Sequence, residues 1–197
     1  MPVKHSGFHE RTRIRMKNLR KIILCALFIA LNIILVRFLP IYKSAVMYID
    51  LGFLSLALCS ALFGPLWGAA TALIAEFTGS VLFPIGTYFF GFTLNYGLIA
   101  LTYGLFFKNS SDLKSLYLRT IGAAVVNELV INLLLGTFWI AVITTTGNVF
   151  ALSPDTWQKF PVLLASRAAK APIMIAIQLL ILPYFIQISK KAYRTKA

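Results

Sequence analysis

Six apolar stretches follow one another from residue 19 to residue 189, separated only by short polar or Pro/Gly breaks. The hydrocarbon core of a bilayer is roughly 30 Å thick, and a helix needs about 20 residues to cross it. The stretches are therefore read as helices over 19–39, 48–63, 65–83, 88–107, 119–144 and 160–189. Pro40, Gly64-Pro65, Pro84-Ile85-Gly86, Gly147-Asn148 and Ser153-Pro154-Asp155 punctuate them where turns are needed. The apolar runs are continuous and lack the alternation that the strands of a membrane barrel require. Strands are not expected. The second helix is short for a full crossing. The sixth contains Pro172, which leaves the Ala168 carbonyl without its helical donor.

The expected architecture is an all-α integral membrane protein with six transmembrane helices. A membrane domain at 19–190 is flanked by basic tails at 1–18 and 191–197, with no internal repeat and no second domain. Composition agrees: of 197 residues, 59% are hydrophobic and 13% charged, more apolar surface than a soluble fold of this size buries. The first stretch has a basic flank but is too long for a signal peptide's apolar core and has no small-residue cleavage site.

Charge orients the chain. There are 19 Lys and Arg against 6 Asp and Glu, a net +13. Lys4, Arg11, Arg13, Arg15, Lys17, Arg20 and Lys21 precede or open the first span, Lys190, Lys191, Arg194 and Lys196 follow the last, and Lys108, Lys114 and Arg119 mark the longest internal polar loop. Short loops rich in Lys and Arg face the cytoplasm, so both termini and the 108–119 loop are expected inside a bacterial plasma membrane. Anionic lipid headgroups of the bilayer suffice as partners for these clusters. No motif supports nucleic-acid binding. Cys25 and Cys59 lie within spans and are read as small packing residues, with no disulfide or metal pattern.

Catalytic and cofactor motifs are missing. His5 and His9 both lie in the N-terminal tail, and there is no HExxH, GxSxG or phosphate loop ending in GK[ST]. No metal, no cofactor and no enzymatic activity are expected, and the chain has no means of driving transport with ATP by itself. Glu76 and Glu128, the two acids within the spans, sit on different helices without a local partner pattern.

The polar residues inside the spans carry more information. Arg167 and Lys170, three residues apart, share one face of the sixth helix. A charge near the bilayer centre costs roughly 2.5–3.5 kcal/mol on insertion scales. Two readings stand: the pair snorkels outward or meets Glu76 or Glu128, or it forms the cationic wall of a site for an anionic ligand entered from outside. Arg37 and Lys43 flank the outer end of the first helix, where interfacial anchoring is the simpler reading of each. Asp50 opens the second helix, where an acid favours the N-terminus.

Phe83, Tyr88, Phe89, Phe90 and Phe92 crowd the turn after the third helix, with Tyr96 one turn deeper and Trp139 and Trp157 near the same level. A headgroup-level aromatic belt explains such residues by default. Their density, broken by Pro84, Gly86 and Gly91, also suits a flat aromatic ligand. Asn95 and Asn132 either hydrogen-bond that ligand or bridge helices. Ala26 and Ala30 form a small-xxx-small pair that admits another helix closely; Gly68 and Ala72 on the third helix make internal packing a competing use of such residues.

Several runs carry a family resemblance. Leu62-Phe63-Gly64-Pro65-Leu66-Trp67-Gly68 is followed by Phe83-Pro84-Ile85-Gly86-Thr87-Tyr88-Phe89-Phe90-Gly91-Phe92-Thr93-Leu94. With Asn132-Leu133-Leu134-Leu135-Gly136-Thr137-Phe138-Trp139 and Arg167-Ala168-Ala169-Lys170, they closely resemble the folate-family S components of energy-coupling factor (ECF) vitamin transporters. The resemblance covers about residues 17–190. It implies a six-helix binding subunit with an outward-opening vitamin pocket that topples in the membrane to deliver its cargo. It also implies a transmembrane coupling subunit docked on Ala26 and Ala30, and two ATPase subunits on separate chains.

With folate as ligand, the rings would meet Phe83, Tyr88, Phe89, Phe92, Tyr96 and Trp139. The glutamate tail would meet Arg167, Lys170, Arg37 or Lys43, and Glu76 or Asn95 would recognise the amino-pyrimidine edge. The alternatives are an S component for another vitamin or a nucleobase-like ligand and, from another class, a small intramembrane enzyme.

Overall fold

In a computed structural model the architecture is described for residues 6–43, 48–108, 112–146 and 153–195. Helix α1 (Ser6–Ile33) runs into a π-wound end at Ile34–Phe38. Two short strands follow, β1 (Tyr42–Lys43) and β2 (Tyr48–Ile49), then α2 (Gly52–Phe63), α3 (Pro65–Leu82) and α4 (Phe90–Phe107). The next rod is continuous: α5 (Leu113–Val125), a π-wound stretch Val126–Leu135 and α6 (Gly136–Thr145). Helices α7 (Pro154–Ala168) and α8 (Lys170–Thr195) complete the order.

The all-α membrane architecture stands, with differences that have physical causes. The sixth expected helix is two, broken at Ala169. Pro172 has no N–H for the Ala168 carbonyl, and its ring crowds that carbonyl, so the rod breaks one residue later. Seven helical rods result among the described residues, not six. Four stretches are long and apolar enough to cross a membrane: Asn18–Phe38, Phe90–Phe107, Leu113–Thr145 and Lys170–Tyr193. Strands are present after all, as a two-residue antiparallel pair joining Tyr42 to Ile49 and Lys43 to Tyr48. It delays the start of α2 to Gly52, where Asp50 Oδ1 accepts from the Gly52 N–H at 2.7 Å. Helix α1 begins inside the basic tail, at Ser6.

Backbone chemistry explains the turns. Gly64 lies at φ +93°, a conformation that favours glycine, and Pro65 opens α3 at the first turn, where its missing N–H costs nothing. The core is closed by small residues that let helices approach: Ala57 in α2, Ala72 in α3, Ala100 in α4 and Ala123 in α5 are fully buried. Tyr103, Phe107, Leu116, Leu182 and Ile186 fill the space between α4, α5 and α8. Gly68 and Ala72 are buried, the internal packing use, whereas Ala26 and Ala30 are exposed on α1. Cys25 and Cys59 are both buried and free.

Polar side chains tie the helices together where lipid or core offers no water. Asn32 Nδ2 donates to the Gly52 carbonyl at 3.0 Å and to Ser55 Oγ at 2.8 Å, joining α1 to α2. Each such bond satisfies a group whose burial alone would cost a few kcal/mol.

Candidate ligand-binding site

At the end of the bundle that the charge pattern places outside, a cavity of ≈ 650 Å³ opens between the close of α1, the β1–β2 pair, the α3–α4 connection, α6 and the α7–α8 break. Such a volume suits a small organic molecule. Eight of the residues expected at a site line it: Arg37, Lys43, Glu76, Tyr88, Phe92, Tyr96, Arg167 and Lys170. They come from four separate parts of the chain. Val36, Tyr48, Ser80, the 84–87 turn and Ile140 complete the lining and were not expected there. The crowding of Pro84, Ile85 and Gly86 next to the aromatics was the available signal for the turn; nothing in the sequence pointed to Ile140.

One wall is an ion pair. Arg37 Nη2 donates to Glu76 Oε1 at 3.0 Å and Oε2 at 3.1 Å, and to Ser80 Oγ at 2.9 Å. Ser80 Oγ donates in turn to Glu76 Oε1 at 2.9 Å, so one acid collects two donors while both charged side chains stay largely buried. Arg37 is thus more than an interfacial anchor. The other cations differ. Arg167 Nη1 donates to Thr137 Oγ1 at 3.3 Å, and among the described residues neither Arg167, Lys170 nor Lys43 forms an ion pair. Among the described residues neither Arg167 nor Lys170 forms an ion pair with Glu76 or Glu128.

Four expected residues stand behind the lining. Trp139 Nε1 donates to Asn95 Oδ1 at 2.9 Å, and Asn95 Nδ2 donates to the Ile131 carbonyl at 3.2 Å. Asn95 therefore bridges α4 to the following rod with both ends of its amide. Trp139 lies flat over Gly91, where an added Cβ would come within 2.5 Å of the indole. Phe89 packs against Trp139 at 5.7 Å and Phe92 at 6.3 Å between ring centres. Phe83 meets Phe38 edge-on at 4.9 Å. Through Phe89, which contacts both Trp139 and the lining Phe92, this cluster holds one lining aromatic in place. Asn132 instead bonds within its own π-wound stretch, donating to Glu128 Oε1 at 3.2 Å.

Beside the cavity, burial pushes the Asp50 carboxyl above the usual carboxylate range, opposed by the Gly52 N–H and by the charges of Lys170 and Arg37. No three His, Cys, Asp or Glu residues among the described ones gather to hold a metal ion. The arrangement is a half-polar, half-aromatic cup with an excess of positive charge, suited to binding a planar anion.

Comparison with known proteins agrees with this chemistry. The family model described as "ECF-type riboflavin transporter, S component" matches residues 16–189. A folate transporter FolT of Clostridium novyi is 33% identical over 129 residues, covering 66% of this chain and 73% of the relative. A folate transporter FolT of Leuconostoc mesenteroides is 28% identical over 160 residues, covering 81% of this chain and 80% of the relative. The crystal structure of FolT bound with folic acid superposes with a TM-score of 0.68 at 26% identity, over 84% of this chain and 91% of that one. With the family model spanning nearly all of its membrane domain, the chain belongs to the S components of ECF-type transporters.

Proposed function

We propose that the chain is the folate-binding S component of an ECF transporter: it captures folate from outside the cell and delivers it inward without catalysing a reaction. The observation that carries this reading is the charge of the cavity. Glu76 is the one acid in the lining, and Arg37 already engages it, so Lys43, Arg167 and Lys170 add three positive charges that no acid of the lining pairs. Folate brings two carboxylates on its glutamate tail, whereas riboflavin, after which the matching family model is described, brings a neutral polyol. Tyr88, Phe92 and Tyr96 offer faces and edges for the rings.

Ligand-binding roles follow for Arg167, Lys170 and Lys43 toward the carboxylates. Supporting roles follow for Arg37 and Glu76, whose pair shapes the wall, and for Phe83, Phe89, Asn95 and Trp139 behind it. Energy would come from other chains, a reading supported by the lack of a phosphate loop ending in GK[ST] in this one. A transmembrane coupling subunit would meet the exposed Ala26–Ala30 face of α1, and two ATPase subunits would power the cycle.

Calorimetric titration of the purified chain with folate, and separately with riboflavin, tests the reading. Saturable one-to-one folate binding that riboflavin does not match supports it. Riboflavin binding in preference to folate overturns the ligand and keeps the family.

A further inference from the structure

Behind the cationic wall sits an acid for which the ligand reading has no use. Glu128 lies in the π-wound stretch between α5 and α6 and is 2% exposed. Its Oε1 accepts from Gln178 Nε2 at 2.7 Å and from Asn132 Nδ2 at 3.2 Å. Gln178 Oε1 accepts in turn from the Tyr103 hydroxyl at 2.8 Å. Gln178 of α8, itself bonded to Tyr103 of α4, and Asn132 of the π-wound stretch thus hold one carboxylate, and neither of these donors is charged. A buried ion held only by neutral donors needs a countercharge nearby.

That countercharge is within reach. A void of ≈ 10 Å³, about the room one water molecule takes, is lined by Glu128 and Asn132 on one side and by Arg167 and Lys170 on the other. Arg167 is already engaged with Thr137. Lys170 makes no hydrogen bond or ion pair among the described residues. It is also the first residue of α8, and the N-terminal end of a helix dipole repels a cation. Lys170 is thus a flexible ammonium, half-buried, at the wrong end of its helix. Asp50 also acts on Lys170 from beside the cavity, but the acid that lines the void with it is Glu128, whose carboxylate is held still by Gln178 and Asn132.

We infer that Glu128 is a positioning residue for ligand capture: across the void it holds the Lys170 ammonium at the cavity wall, aimed at an anionic group of the ligand. Glu128 does not touch the ligand; it acts through Lys170. The inference rests on the proposed anionic ligand for its binding consequence, but the Glu128–Lys170 coupling exists without any ligand. Pre-aiming a lysine with several rotatable bonds removes the ordering cost that the ligand would otherwise bear.

The test is a double-mutant cycle on the full chain in detergent, using Glu128→Gln, Lys170→Met and the double variant. Glu128→Gln keeps an oxygen that accepts from Gln178 and Asn132 while removing the charge. In ligand-free thermal unfolding the two changes are expected to be non-additive, Glu128→Gln costing less in the Lys170→Met background than alone. In folate titration Glu128→Gln is expected to weaken binding about tenfold, equivalent to about 1.4 kcal/mol, and to add nothing once Lys170 is gone. Additive unfolding effects overturn the inference, as does folate binding by Glu128→Gln that is unchanged, tighter, or equally weakened in both backgrounds. A native chain that does not bind folate overturns the ligand reading alone, because the ligand-free cycle still decides whether Glu128 acts on Lys170.

Discussion

Arg37 and Glu76 clasp each other across the cavity wall, one guanidinium nitrogen lying 3.0 and 3.1 Å from the two carboxylate oxygens. The pair joins the π-wound end of α1 to α3, and Ser80 bonds to both partners. Its side chains are 8% and 9% exposed, so each charge relies chiefly on its partner.

Removing one partner of that pair strands the other. Arg37→Ala is expected to destabilise the protein by about 3–5 kcal/mol, the usual cost of leaving a buried charge alone. Glu76→Gln keeps acceptors for Arg37 and Ser80 and is expected to cost less. Thermal unfolding in detergent checks the order; a larger loss for Glu76→Gln would sink the interpretation.

Arg167 lines the cavity from the last residues of α7 and has no acid partner among the described residues. Arg167→Ala is expected to weaken folate binding more than tenfold, or more than about 1.4 kcal/mol. Calorimetry on a correctly folded variant decides it, and an unchanged affinity removes Arg167 from the set of ligand contacts.

Ala26 and Ala30 lie exposed on α1, away from the cavity. Ala26→Trp or Ala30→Trp is expected to block assembly with the coupling subunit while leaving ligand binding intact, because a large ring denies close helix approach. Co-purification with the coupling and ATPase subunits reads this directly, and normal assembly of both variants would move the docking face elsewhere.

Asp50 gives a pH prediction with a definite sign. Burial raises its folded carboxyl value above the unfolded one, so the fold disfavours the ionised form. The stability associated with the neutral acid is complete below the unfolded value, about 3.9, and is lost as pH rises through the folded value. Asp50→Asn, which keeps an acceptor for the Gly52 N–H, should therefore raise the unfolding midpoint most at pH 8, with the gap closing toward pH 4. A gap that widens toward acid contradicts it.

Much of the architecture was legible because membrane insertion imposes its own grammar. Long apolar runs and their breaks marked the helices, and the turn at Gly64-Pro65 fell where a positive φ suits glycine and a helix start suits proline. The end of the rod at Ala169 was foreshadowed by Pro172, yet the apolar pattern runs through the break and hid the seventh rod. The β1–β2 pair escaped notice because two-residue strands carry no periodicity. The motif 83–94 pointed to the site, but hydropathy does not distinguish Tyr88 and Phe92, which line the cavity, from Phe89, which packs on Phe92, or Phe83, which packs on Phe38.

By itself the sequence determined that this is a helical membrane protein, that its cations gather at helix ends and in the last spans, and that it carries no phosphate loop ending in GK[ST], while the S-component type entered as a resemblance of a few short runs. Those properties depend on composition and short-range order, which a linear chain displays. Only the tertiary structure decided how the charges are shared. Glu76 is 39 residues from Arg37, and Glu128 is 50 residues from Gln178. Pairing at such distances follows from how the helices pack, and that packing turned two apparently solitary acids into a strut beside the cavity and a bonded carboxylate behind it.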